Sequence, residues 1–131
     1  MMRILMTSSA VFLAALGLGA SFLPQELLAH AASPANTAMT AGIQLAGAVW
    51  VGFALVNWAA RGTLIGGIYG RPIALGNFAH FAIGAIVLVK ILPGLHWCAE
   101  AITAAAIYTA FAAWFGYALF GAGPRATSRP A

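Results

Sequence analysis

The chain is short, strongly apolar and almost without charge: of its 131 residues, 63% are hydrophobic and 6% are charged, with a mean hydropathy of +0.94. Soluble domains carry about 25% charged residues, so this composition excludes an ordinary cytosolic enzyme. Six Lys and Arg outnumber two Asp and Glu, but the cations are spread along the chain and form no patch for nucleic acid. The composition predicts an integral membrane protein in a lipid bilayer.

Four apolar segments are each long enough to cross a bilayer, which needs about 20 helical residues. The segments cover, approximately, residues 4–23, 37–60, 72–92 and 95–120. We therefore expect an all-α membrane protein with one four-helix transmembrane bundle over residues 1–121, made of two antiparallel hairpins. Residues 122–131 are expected to form a disordered cytoplasmic tail.

Two sequence signals bear on the first loop. Ser33-Pro34 is typical of an N-cap followed by proline at the first helical position, just before the second segment. Ala29-His30-Ala31 resembles a secretory cleavage site, although the preceding apolar run of about 20 residues exceeds the 7–15 of a signal peptide. We expect the first helix to be retained. Cleavage would leave three spans.

The positive charges predict the orientation of the chain. If all four segments cross the membrane, five of the six cations fall on one side, namely Arg3, Arg61, Arg71, Arg125 and Arg129. Lys90 is then alone on the other side. By the positive-inside rule both termini are cytoplasmic, and the expected location is the bacterial inner membrane.

Small residues recur at helical spacing on three of the predicted helices. They are Gly42, Ala46, Ala48, Gly52, Gly76, Gly84, Ala112 and Gly116. Helices in lipid associate through close packing at such residues. The pattern predicts either internal packing of a monomer or an interface with a second copy or a partner membrane subunit.

His80 is an ionisable residue at membrane depth, and such residues are functional candidates. Asn57 and Asn77 are predicted at a similar depth, so we expect an intramembrane polar network of these three side chains. A hydrogen bond within the fold, a solute path and a quinone site beside Phe78 and Phe81 all remain open. Haem would need a second axial ligand, which only a symmetric dimer could supply, so no cofactor is predicted.

Polar residues also flank the Pro93-Gly94 turn on the predicted outer side. Lys90, His96 and Glu100 form this outer cluster, and we expect an ion pair between Lys90 and Glu100. His96, Cys98 and Glu100 match no close-spaced metal motif, so no metal site is predicted.

The predicted cytoplasmic loop is rich in glycine and is flanked by Arg61 and Arg71. It lacks the G-K-[ST] ending of a phosphate-binding loop and lies between membrane helices, which argues against nucleotide binding. The two arginines are instead expected to contact anionic lipid headgroups.

One stretch carries a family resemblance. Gly66-Gly67-Ile68-Tyr69-Gly70-Arg71-Pro72, followed by Asn77, His80, Gly84 and Lys90, resembles a pattern in small bacterial four-helix membrane proteins of the DoxX-like kind. Some DoxX-like proteins are subunits of quinone-linked redox systems, so the resemblance implies an accessory role.

The sequence contains no nucleophile, base and acid at catalytic spacing. It therefore predicts a non-enzymatic accessory or assembly subunit of a membrane complex. A link to redox chemistry is implied by the resemblance alone. Two alternatives stay open: a small-solute or ion permease acting as an oligomer, and a quinone-binding membrane subunit.

Overall fold

The computed structural model describes residues 2–31, 36–62, 68–96 and 98–121, and these contain helices and turns but no strand. The helices are α1 (Met2–Phe22), α2 (Pro24–His30), α3 (Thr37–Ala60), α4 (Gly70–Ile91) and α5 (Ala99–Gly116). A 3₁₀ turn, Leu92–Leu95, extends α4, and a π-helical turn, Tyr117–Gly121, extends α5.

Four helical segments are long and apolar enough to cross a membrane. They are Met2–Phe22, Thr37–Ala60, Gly70–Leu95 and Ala99–Gly121. The predicted all-α class with four apolar spans is confirmed. The chain divides into two compact units, of which the first holds α1, α2 and α3 and the second holds α4 and α5.

Proline separates α1 from α2 in the first unit. Leu23 leaves helical geometry, with φ −124° and ψ 42°, because a following proline disfavours the helical conformation of the residue before it. Pro24 then lies in the first turn of α2, where its missing N–H costs nothing. The segment was expected to be loop, although Pro24 is a signal for a helix start.

Asn36 sets the start of α3. Its side-chain Oδ1 accepts a hydrogen bond from the Met39 N–H at 2.9 Å, which makes Asn36 the N-cap. Ser33 and Pro34, the predicted start signal, lie outside the described residues. The helix runs from Thr37 to Ala60, within the predicted bounds.

The turn between α4 and α5 is longer than expected. Pro93 lies in the 3₁₀ turn that continues α4, and His96 adopts the left-handed conformation with φ 49°. A left-handed residue cannot continue a right-handed helix, so α5 begins at Ala99 and not near residue 95. Residues 122–131, the predicted tail, lie outside the described residues.

Candidate functional site

In the first unit, α1 and α3 are in backbone contact at Gly17 and Gly47. A Cβ at Gly47 would lie 2.8 Å from both the Gly17 carbonyl oxygen and the Ser21 nitrogen, and a Cβ at Gly17 would lie 2.8 Å from the Gly47 carbonyl oxygen. No side chain fits at either position. This pair was not predicted, although Gly17 and Ser21 have the spacing of two small residues on one helix face.

A buried hydrogen bond joins the same two helices. The Asn57 side-chain amide donates to the Ser9 Oγ at 3.0 Å, and the Ser9 hydroxyl donates to the Met6 carbonyl at 3.1 Å. Asn57 and Ser9 are both fully buried. Interhelical hydrogen bonds of this kind contribute about 0.6–2 kcal/mol in membranes and fix the register of the two helices.

A third contact lies near the other end of the pair, where the Gln44 amide donates to the Ser21 carbonyl at 3.4 Å. Ser9 thus pairs with Asn57, Gly17 contacts Val51, and Ser21 contacts Gly47. The two helices are therefore antiparallel, because the residue numbers of the contacts decrease along α3 as they increase along α1.

A second side of α3, away from Gly47, is exposed. Gly42, Ala48 and Gly52 are exposed, and no atom of the described residues lies within 4 Å of a Cβ built at Gly42 or Gly52. Ala46 is half-buried. Gly47 packs against α1, whereas Gly42 and Gly52 make no such close contact with the part of the chain that the structure describes.

The second unit has an aromatic core centred on Phe81. The Phe81 side chain is fully buried, and its ring stacks on Phe111 and Phe115 with centroid distances of 4.8 and 5.9 Å. Tyr108 meets Phe81 edge to face at 5.2 Å. Such aromatic pairs contribute about 0.5–1.5 kcal/mol each beyond their buried area.

His80 lies at the edge of this core. Its ring centroid is 5.6 Å from that of Tyr108 and 5.1 Å from that of Phe81, and its Nε2 atom is buried. Gly84 makes room for the phenol ring, because a Cβ there would lie 2.5 Å from the Tyr108 Cδ1 and Cε1 atoms. Tyr108 was not among the predicted site residues, although the position of a phenol group in the middle of an apolar span is a signal for one.

The structure also describes the other predicted residues of this unit. Asn77 is buried and donates to the Ile73 carbonyl at 2.9 Å. A Cβ at Gly116 would lie 3.1 Å from Phe78 Cε2, Ala112 is buried, and Gly76 is half-buried. The network of Asn57, Asn77 and His80, and with it the solute path, stays a prediction.

The outer cluster is exposed to solvent at Lys90, His96 and Glu100. Lys90 lies in the last turn of α4 and Glu100 in the first turn of α5, where the helix dipoles stabilise a cation and an anion respectively. Their ion pair stays a prediction. Among the described residues, no group of three His, Cys, Asp or Glu side chains is placed to hold a metal ion.

Arg61 is held against the end of α3. Its guanidinium carbon lies 4.2 Å from the centroid of the exposed Trp58 ring, and its Nη1 donates to the Trp58 carbonyl. The cation thus binds both an aromatic face and one of the last carbonyls of the helix. Arg71 is exposed in the first turn of α4.

Comparison of the chain with family models, curated proteins and solved structures finds no match. The DoxX-like resemblance therefore stays a prediction. The functional interpretation depends on the contacts described above.

Proposed function

We propose that this chain is a non-enzymatic, multi-pass protein of the bacterial inner membrane that acts as an accessory or assembly subunit. It would bind its partner through the open face of α3, which consists of Ala41, Gly42, Leu45, Ala48 and Gly52. All five residues are exposed. The charge pattern supports an orientation with both termini in the cytoplasm and the four spans arranged as two hairpins.

Gly42 and Gly52, the two exposed glycines of this face, are the main support for this proposal. Glycine inside a helix costs about 0.5–1 kcal/mol relative to alanine, so its presence needs a compensating contact. Gly47 has that contact, since its backbone touches α1. Gly42 and Gly52 offer the same flat surface with open space above it, which suits the close approach of another helix better than contact with lipid chains.

The test is native mass spectrometry of the gently solubilised full chain, with crosslinking in membranes as a second readout. We expect a defined complex, and we expect Gly52→Leu to abolish it because the leucine holds the partner helix away. The matched control is Gly19→Leu on α1, where a Cβ also meets open space.

The composition of the complex identifies the partner. A second copy of the chain indicates a homo-oligomer, and a second polypeptide at fixed stoichiometry indicates an accessory subunit. A monomer in every mild detergent and in membranes, or a complex unchanged by Gly52→Leu, would contradict the proposal.

A quinone-binding subunit is a second candidate, favoured by the group of His80, Tyr108 and Phe81. Quinone sites in membranes combine a hydrogen-bonding side chain with apolar walls, and His80 beside Tyr108 offers both kinds of group. Titration of the purified protein with a short-chain benzoquinone should then show saturable binding that His80→Phe weakens at least tenfold. Unsaturable partitioning into the detergent, identical for wild type and His80→Phe, would contradict this candidate.

A further inference from the structure

The N-terminus of α1, at Arg3, and the C-terminus of α3, at Arg61, lie at the same end of the first unit. Three contacts fix the order of the pair: Ser9 with Asn57, Gly17 with Val51, and Ser21 with Gly47. Continuing that order past Ser9 brings the start of α1 level with the end of α3. Arg3 and Arg61 therefore both lie toward this end of the helix pair.

A shallow, open groove runs along the surface of α1 from this end. It has a volume of about 630 Å³ and is lined by Arg3, Ile4, Thr7, Ser8, Val11 and Phe12. Residues 3 to 12 span about 13 Å at 1.5 Å per residue. The groove therefore begins at a cation and continues along an apolar helix face, with Ile4 and Val11 exposed in it.

The Arg61 side chain is fixed in place at the same end of the helix pair. The contact with the Trp58 ring and the hydrogen bond to the Trp58 carbonyl both restrain the guanidinium. A guanidinium has five N–H donors, so most of them stay available to an anion. The exposed Trp58 ring is of the type that lies at the headgroup level of membranes.

We infer that the first unit binds an anionic phospholipid, with its phosphate between Arg3 and Arg61 and one acyl chain along the α1 groove. Charge and shape both select this occupant. The chain has only two carboxylates, Glu26 and Glu100, and Glu26 lies on α2 beyond the opposite end of α1. A phosphate at the Arg3 end thus meets cations of the first unit without a carboxylate of that unit beside it. This inference does not depend on the open face of α3.

The first test measures lipid selectivity. The delipidated full chain is placed in nanodiscs with equal amounts of phosphatidylglycerol and phosphatidylcholine, and the lipids retained in native mass spectrometry are counted. We expect one phosphatidylglycerol to be retained preferentially. Arg3→Gln and Arg61→Gln should each weaken its binding about fivefold, the equivalent of about 1 kcal/mol per basic residue. Trp58→Leu should weaken it two- to fivefold by releasing Arg61.

Lys90→Gln is the matched charge control, because it removes one positive charge from the second unit at an exposed position that is not predicted to contact these headgroups. Binding should change less than twofold in this variant. Equal loss in Lys90→Gln and Arg61→Gln would mean that only the overall positive charge attracts the lipid, and would overturn the inference. Equal retention of the two lipids by the wild type would overturn it as well.

The second test addresses the acyl chain. Val11→Trp should fill the groove and lower phosphatidylglycerol retention at least fivefold, whereas Leu18→Trp, also exposed on α1 but outside the groove, should not. Glycerol phosphate, which has the anionic head without chains, should not displace the lipid. Displacement by glycerol phosphate, or retention that Val11→Trp leaves unchanged, would show that the groove holds no chain and overturn the inference.

Discussion

The two units of this protein hold their helices together by different means. In the first unit the backbones of α1 and α3 touch at Gly17 and Gly47, and a buried hydrogen bond lies further along the pair. In the second unit α4 and α5 meet through aromatic rings around Phe81, and a glycine, Gly84, makes room for one of them.

The difference is instructive because lipid provides no hydrophobic force between helices. Each pair must therefore gain more from van der Waals contact and hydrogen bonds with its neighbour than from contact with lipid chains. The first unit achieves this by bringing two backbones close together. The second achieves it with large, rigid rings that lose few rotamers on packing. The two units should therefore respond differently to the same kind of substitution.

The largest effect is expected at Gly47. Gly47→Leu would drive a side chain into the Gly17 carbonyl and the Ser21 backbone, neither of which can move without separating α1 from α3. We expect the free energy of unfolding in mixed micelles to fall by about 3 kcal/mol or more. Gly19→Leu, at an open position on α1, should change it by less than about 0.5 kcal/mol. A stable Gly47→Leu protein would show that the backbone contact is not what holds this unit.

Phe81→Ala should produce the next largest effect. In a soluble core this change costs about 3–5 kcal/mol, but separated helices in lipid keep the ring in an apolar environment, so only the lost packing counts. We expect a loss of about 2 kcal/mol by the same unfolding measurement. Phe22→Ala, at a ring that is 76% exposed, is the control and should be nearly neutral. Equal losses at the two positions would contradict the aromatic core.

Gly84→Ala tests whether Gly84 is needed to make room for the Tyr108 ring. The added methyl would lie 2.5 Å from two carbons of the Tyr108 ring, and a ring can shift where a backbone cannot. We therefore expect a smaller loss of about 1 kcal/mol. In a Tyr108→Ala background the same methyl should cost nothing. A penalty that persists in that background would mean that Gly84 is required for some reason other than the ring.

Sequence reasoning could find the four spans because their signal is local. Length and apolar composition along one segment decide whether it can cross a bilayer, and α3 begins and ends where those properties predict. The segment ends were less predictable where backbone geometry intervenes. The left-handed His96 delays the start of α5, and Pro24 begins a short helix in a segment expected to be loop.

Pairing between helices could not be found in the same way. Small residues at helical spacing show that a face is suited to close packing, but not which helix will occupy it. Gly42 and Gly52 were predicted to pack either within the monomer or against a second copy or a partner, and both are exposed, whereas Gly47, on a different side of the same helix, contacts α1. The Asn57 amide donates to Ser9 on α1, a partner that the sequence did not indicate, and the network with Asn77 and His80 stays a prediction. Which residues contact each other depends on the axial register of two helices, and the sequence of one segment does not determine that register.

The smallest predicted effect concerns the hydrogen bond between Asn57 on α3 and Ser9 on α1. Ser9→Ala and Asn57→Ala should each destabilise the first unit, and their double-mutant cycle should give a coupling energy of about 0.6 kcal/mol, the average for hydrogen bonds between membrane helices. Ser8 provides the matched control, since it is adjacent to Ser9 but its hydroxyl donates to the Leu5 carbonyl within α1. The cycle of Ser8→Ala with Asn57→Ala should give no coupling. Coupling at Ser8 equal to that at Ser9 would mean that Asn57 senses the whole helix face and not one hydroxyl. A coupling at Ser9 alone would show that the Ser9 hydroxyl and the Asn57 amide form a specific polar pair between α1 and α3, a kind of contact that the aromatic packing around Phe81 does not provide.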